Sequence, residues 1–177
     1  METLETRRLI LRDFKMSDLK DFNEYASDID VSKSSGWVSH KSLEYSKEIL
    51  EGFIKKGDVY AIEYKQNHKV IGSIGVHNQG LDFSFSDKKE KCLGYALSKE
   101  YWSKGLMTEA LLTVIDYCFN DLKVDMLWLS HIEGNESGQR LVRRLGFVFS
   151  HKYYKKLKEI KKTYVAKAYL LTKEEYN

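Results

Sequence analysis

Proline is absent from this chain of 177 residues, and cysteine occurs only at Cys92 and Cys118. Without proline, no prolyl isomerisation can slow folding. The two cysteines stand alone, with no C-x-x-C pairing and no histidine cluster beside them, which excludes a disulfide framework or a zinc site. No metal is therefore expected, and a reducing cytoplasm is the expected compartment. No stretch approaches the roughly 20 apolar residues that a membrane span needs. The opening METLETRRLILRDF lacks the apolar core and small-residue cleavage site of a signal peptide. Charge of either sign is nearly balanced, and a net charge of +3 is too small to mark a dedicated nucleic-acid or membrane binder.

Hydrophobic residues make up 42% and charged residues 31%, the composition of an ordinary globular protein able to bury a core without staples. Neither repeats nor a composition break divides residues 1–177, so a single domain is expected. Residues 8–14 read as a strand, and Ser17 as the N-cap of a helix running to Ser27 with Leu19, Phe22 and Tyr25 on one face. Residues 42–56 carry a second helical pattern, stopped by Gly57. The segments 59–64 and 69–76, separated by Gln66-Asn67-His68, read as a hairpin. A polar loop at 77–89 leads to a strand at 91–97.

The centre of the chain alternates strand and helix. A helix is predicted from Thr108 to Leu122, a strand over 125–131, and a short helix over 137–145 that turns Leu141, Val142 and Leu145 inward and Arg140, Arg143 and Arg144 to water. Gly146 stands where a left-handed C-cap is wanted, with Phe147 placed to fold back on the last turn. Strands near 147–154 and 164–171, joined by a lysine-rich connection, end the chain. Strand, helix, strand implies a parallel pair with a crossover, and the flanking hairpins add antiparallel strands. The fold class is thus α/β, a mixed sheet flanked by helices, with a crevice at the carboxyl ends of the parallel pair.

Two segments carry candidate chemistry. In YWSKGLMTEALL (101–112) a turn enters a helix, where free N–H groups and the helix dipole attract anions. Gly105 permits close backbone approach and Lys104 adds charge, but the glycines fall short of a Walker loop or Rossmann fingerprint. In NESGQRLVRRLGF (135–147), Asn135 sits between strand and helix, where its amide can cap the helix or bind a ligand. Each segment taken alone is more often a plain turn or a cap.

In this order and at this spacing the two segments resemble the GNAT superfamily of acetyltransferases. The superfamily's phosphate loop runs Arg or Gln, two residues, Gly, one residue, then Gly or Ala, and Trp102 to Met107 fall in that frame. The pair Tyr101-Trp102, Thr108-Glu109-Ala110, Asn135 with Leu145-Gly146-Phe147, and the segments 5–12, 71–78, 93–102 and 168–176 are similar to the ribosomal-protein (RimJ/RimL-type) branch. The resemblance implies a GNAT-like fold in which a splayed parallel pair forms the cofactor cleft. It also implies acetyl-CoA as co-substrate and a primary amine, such as a protein N-terminus, as acceptor. On this resemblance acetyl-CoA is held by Leu97, Trp102, Ser103, Lys104, Gly105, Leu106, Met107, Thr108 and Asn135. Several positions depart from the pattern. Trp102, Ser103 and Met107 replace more usual residues in the loop, Gly138 replaces a common serine, and Val142 stands where many members keep a tyrosine acid. Cys92 stands where the branch often has glutamate.

Acetyl transfer of this kind is a direct attack of the amine on the thioester through a tetrahedral intermediate. The developing oxyanion needs a positioned N–H, for which Leu97 is the candidate. A free α-amine titrates near ~8 and a thiol near ~8.5, so the amine needs modest help and the thiol leaves readily. With Cys92 in the glutamate position, the candidate bases are Glu90 and His131, and His131 is preferred because it lies at the carboxyl end of the parallel strand. Trp37 is a candidate for the acceptor pocket, weighed against plain packing, and His40 and His77 are assigned no role. A binding or regulatory protein that keeps the fold and has lost turnover is the alternative. The six lysines of HKYYKKLKEIKK (151–162) read as a solvated arm rather than an RNA surface. The resemblance also admits a homodimer.

Overall fold

The strand signals of the sequence become β1 (Leu4–Glu5), β2 (Leu9–Asp13), β3 (Val59–Tyr64), β4 (Lys69–His77), β5 (Glu90–Leu97), β6 (Met126–Ile132), β7 (Val148–Leu157) and β8 (Lys162–Thr172). The computed structural model describes residues 1–82, 85 and 87–176. It joins the strands into one sheet ordered β1-β2-β3-β4-β5-β6-β8-β7. Every neighbouring pair is antiparallel except β5 and β6, the predicted parallel pair. The mixed α/β sheet read from the sequence is the fold. Part of the polar loop read over 77–89, residues 83, 84 and 86, lies outside the described residues.

Side chains alternate across the strands, so the sheet has two apolar faces. One face receives α4 (Leu106–Asn120) and α5 (Glu136–Arg144), burying Ala110, Leu111, Val114 and Val142 against Leu93, Leu97, Leu127 and Leu129. The other receives α1 (Leu19–Ser27), α2 (Ile29–Ser35) and α3 (Leu43–Lys56), which bury Phe22, Tyr25, Val31 and Leu50 against Val59, Ala61, Val70 and Ala96. A short α6 (Lys173–Tyr176) follows β8. Burying one such large side chain is worth about 1.5–3 kcal/mol. No described helix is long and apolar enough to cross a membrane.

Two helix stops follow the sequence reading. Gly57 takes φ 62° after α3, and Gly146 takes φ 83° after α5 while the Phe147 N–H donates to the Val142 carbonyl. Other boundaries differ, each for a local reason. Ser17 does not cap α1, because Met16–Asp18 form a 3-10 turn that holds Asp18 against Arg12 at 2.9 Å. The central helix begins at Leu106 rather than Thr108, since left-handed Gly105 already acts as its N-cap. Helix α2 was not foreseen, for its seven residues IDVSKSS carry little apolar period. Asp28 starts it by accepting from the Asp30 and Val31 N–H groups. The lysine-rich connection is itself strand: β7 and β8 pair down to Leu157 and Lys162, with Lys152, Tyr154 and Lys156 outward and Tyr153, Lys155 and Leu157 inward.

The parallel pair is what opens the cleft. Its ladder runs only from Glu90 opposite Met126 to Leu93 opposite Leu129. Beyond that point β5 stays on β4 as far as Leu97 opposite Gly72, whereas β6 follows β8 as far as Ile132 opposite Ala166. The two strands therefore splay at their carboxyl ends, leaving backbone of β5 facing a gap.

Candidate active site

The turn entering α4 is shaped by two left-handed residues, Ser103 at φ 59° and Gly105 at φ 73°. Together they aim the first amides of a 15-residue helix at the gap. The turn is braced from behind by Arg8. Its guanidinium donates to the Lys104 carbonyl at 3.0 Å and to Glu109 at 2.7 Å, and its backbone N–H donates to the same carboxylate at 2.9 Å. Burial opposes ionisation of Glu109, but the bonds from Thr6 and Arg8 outweigh it and hold the carboxyl below its ordinary range. The Trp102 indole N–H donates to the Leu97 carbonyl at 2.8 Å, clamping the turn to the end of β5.

In front of the turn lies a cavity of about 390 Å³. Eight of the nine residues read as cofactor-binding line it: Leu97, Trp102, Ser103, Gly105, Leu106, Met107, Thr108 and Asn135. Leu106 and Met107 line it although both are largely buried in the core. Lys104 is not among the lining residues; its ammonium sits 5.2 Å from the centre of the Tyr101 ring. Arg140 and Arg144, read as pointing to water, are exposed and line the same cavity. They place positive charge beside the helix N-terminus.

Asn135 is fully engaged within the protein. Its Oδ1 accepts the Gly138 N–H at 2.9 Å, and its Nδ2 donates to the Ser34 carbonyl at 2.8 Å. It therefore caps α5 and ties that helix to the end of α2, whose Ser34 and Ser35 also line the cavity. Gly138, where a serine is usual, suits this close packing: a Cβ there would lie 3.0 Å from both the Asn135 amide and the His131 Cβ, so these neighbours would have to give by a few tenths of an ångström. Val142, on the inner face of α5, is fully buried in the core.

A second cavity, of about 370 Å³, opens on the opposite face of the sheet. It shares Ser34, Ser35 and Tyr95 with the first, so the two adjoin through the splay. Its floor is Cys92 and Gly94, with His77, Ser130, Tyr153 and Lys155 around it. Burial pushes the Cys92 thiol up to about 11, so it stays protonated at neutral pH. Burial likewise pushes the Lys155 ammonium below its ordinary value.

The residues read as possible bases and as acceptor contact are placed elsewhere. His131 is buried and lines neither cavity; Nδ1 bonds to the Ile132 carbonyl at 3.0 Å and Nε2 to the Tyr169 hydroxyl at 2.9 Å, with the ring stacked on Tyr169. The carbonyl can only accept, so Nδ1 carries the proton and Nε2 is occupied by the tyrosine. The reason is strand parity: Ser130 faces the second cavity, and its neighbour must face α5. Glu90 is held by the Trp128 indole at the far end of β5. Trp37 packs with the α1–α3 cluster and 5.6 Å from the His40 ring, outside the lining of either cavity.

Other participants were not legible in the sequence. His77, assigned no role, bonds through Nδ1 to Asp58 Oδ2 at 2.9 Å and lines the second cavity. His40 is likewise partnered, by Ser46 at 2.9 Å. The Arg8–Glu109 brace was not foreseen: both residues fall in segments that carry the family resemblance, but nothing in the sequence pairs them. Among the described residues, no cluster of three or more metal-ligating side chains is present.

A turn of left-handed residues feeding a helix beside a splayed parallel pair defines a cleft suited to an anion. Residues 8–148 match the family model described as an acetyltransferase (GNAT) domain, and the chain belongs to that family. It is similar to the uncharacterized N-acetyltransferase YoaA of Bacillus subtilis (strain 168), 27% identical over 150 residues covering 81% of each chain. Its fold matches a GNAT-family acetyltransferase from Bacillus anthracis with a TM-score of 0.83 at 18% identity, covering 98% of this chain and 99% of that one. The fold also matches a ribosomal-protein-S5-alanine acetyltransferase from Vibrio fischeri, with a TM-score of 0.77 at 21% identity over 100% of both chains.

Proposed function

We propose that this protein transfers an acetyl group from acetyl-CoA to a primary amine, with the cofactor in the first cavity and the acceptor in the second. The observation that carries the reading is the first cavity itself: helix amides at a left-handed turn open onto the unpaired edge of β5. The pyrophosphate would lie on the amides of residues 103–108, and Arg140 and Arg144 would meet the remaining phosphate charge. The pantetheine arm would pair along β5 in the gap left by β6. Ser98 donates its N–H to the Ile71 carbonyl on β4, so strand alternation turns the Leu97 N–H toward the gap. That amide is the donor assigned to the oxyanion. Asn135 supports the cleft by holding α2 and α5 together.

A protein N-terminus is the favoured acceptor, supported by the full-length fold likeness to an S5-alanine acetyltransferase. An α-amine near pKa ~8 is also the acceptor that asks least of the enzyme, and proximity supplies up to roughly 7–11 kcal/mol. The protonated Cys92 favours a second reading, an acetyl-CoA-binding regulatory protein without turnover. Titration calorimetry with acetyl-CoA, joined to thiol release over alanine- and serine-initiated peptides, spermidine and glycinamide, separates the two. Binding with turnover of one amine is expected. Binding alone would make the regulatory reading correct.

The turn can be tested directly. Valine at position 105 would have to hold φ near 73°, which branched residues avoid, although a Cβ alone meets nothing closer than 3.7 Å. Gly105→Val should therefore reshape the turn and weaken acetyl-CoA binding at least about tenfold, or 1.4 kcal/mol. Unchanged affinity in a folded variant would remove the cofactor assignment.

A further inference from the structure

Histidine 77 ends β4 directly opposite Cys92 on β5, on the face of the sheet that floors the second cavity. Its ring rests over Gly75 and Gly94, which are themselves paired across the two strands. A Cβ on Gly75 would lie 2.3 Å from Nε2, so the missing side chain there clears the ring's seat, while one on Gly94 would only touch the ring at 3.9 Å. Nδ1 is 2.9 Å from the Asp58 carboxylate. An ionised carboxylate only accepts, so Nδ1 carries the proton of the neutral ring and Nε2 is left with its lone pair. The other oxygen, Asp58 Oδ1, is buried with no hydrogen-bond partner, so the carboxylate is committed to the ring. His131 has the reverse arrangement, with both ring nitrogens taken.

We infer that His77, oriented by Asp58, is the proton acceptor for the amine in the second cavity. This rests on the acetyl-transfer reading above. Nε2 takes one proton from the ammonium form of the acceptor. The freed nitrogen attacks the thioester carbonyl carbon, forming the N–C bond as the carbonyl electrons move to oxygen. Collapse breaks the C–S bond, and the thiolate takes the second proton from the nitrogen. The proton on His77 then returns to solvent, so one proton is released per acetyl group transferred.

Among the charged and titratable groups around the ring, only Lys155, whose ammonium burial pushes below its ordinary value, rivals it for this role. Asp58 on β3 holds it, and Cys92 on β5 is a protonated thiol. Lys91 is bound by Asn78 and Glu90 by Trp128. Tyr95, Tyr153 and Lys155 are the other titratable residues of the lining, and burial raises both phenols, Tyr95 to about 12. Neither phenol nor thiol is a base at neutral pH.

The test uses the whole protein and whichever of the four amines named above gives the highest kcat/KM, measured from pH 6 to 9. His77→Gln should keep its acetyl-CoA Kd and its Tm. Its kcat/KM should fall about 100-fold or more at the acidic end and recover toward pH 9, where the amine is neutral without help. Asp58→Asn should move the acidic limb to lower pH, a change that a structural role would not produce. A His77→Gln variant within threefold of wild type across the range, or an Asp58→Asn limb that does not move, overturns the inference while leaving acetyl transfer intact. A wild type that binds acetyl-CoA but acetylates none of the amines overturns both. A wild type that fails to bind acetyl-CoA overturns the cofactor cavity first.

Discussion

At the scale of single residues, Asn135 illustrates how one amide can hold several elements. Its oxygen caps α5 and its nitrogen reaches the Ser34 carbonyl, 101 positions away. Loss of a cap costs ~1 kcal/mol, and loss of the tether adds a similar amount. Asn135→Ala should therefore lower Tm by about 4–8 °C, taking 2–4 °C per kcal/mol for a chain of this size. Differential scanning calorimetry gives the shift, and calorimetric titration with acetyl-CoA gives the second half of the answer. If Tm falls while affinity is unchanged, Asn135 acts only by holding the helices. If both fall, the amide contributes to the cofactor cavity. The capping half was readable from the strand–Asn–helix pattern. The tether was not, because it depends on α2, a helix too short and polar to announce itself.

At the scale of elements, the entry to α4 is stabilised from the start of β2. Glu109 sits in the first turn of α4, where a carboxylate also complements the helix dipole. Its carboxyl is held below the ordinary range by Thr6 and Arg8 against the cost of burial. A carboxyl with a depressed folded-state pKa contributes stability that is present above the unfolded value of about 4.3 and is lost as pH falls through the folded value. Glu109→Gln should thus be less stable than wild type at pH 7 by about 1.5–3 kcal/mol, the range for hydrogen bonds to a charged group. The gap should narrow as pH drops below about 4, which urea denaturation at pH 7 and pH 3.5 measures. An equal gap at both values would place the stabilisation outside the ionised carboxylate. Because the same pair props the Lys104 carbonyl, the variant should also bind acetyl-CoA more weakly at pH 7.

Across the whole molecule, the cleft is a property of the sheet rather than of any motif. Helices on both faces hold β5 to β4 and β6 to β8, and the gap between them is where the two halves part. A ligand that fills this gap binds the folded state alone. Acetyl-CoA at 100 times its Kd should add about 2.7 kcal/mol, which corresponds to a rise in Tm of about 5–10 °C. Thermal unfolding with and without the cofactor reads this directly. A Tm that does not move at saturating acetyl-CoA would count against the first cavity as its site.

Periodicity, caps and turn residues are written in neighbouring positions, and these the sequence determined by itself. The strand–helix–strand order implied the parallel pair, Gly57 and Gly146 marked helix ends, and Gly105 marked the turn around which eight of nine expected lining residues gather. The lysine arm did not show its strand, since HKYYKKL sets Tyr153 beside Tyr154 and Lys155 beside Lys156, and the alternation appears only in which of them the fold buries. Tertiary structure alone decided which side chains meet. Arg8 finds Glu109 across 101 positions, and Asp58 finds His77 across 19. It also decided which face a strand residue shows: parity sends Ser130 to the second cavity and His131 under α5, against the expectation that His131 serves the cleft. Local sequence sets backbone conformation through short-range sterics and hydrogen bonds. The register of distant strands, and hence the partner of each ring and carboxylate, is set only when the two apolar faces are buried together.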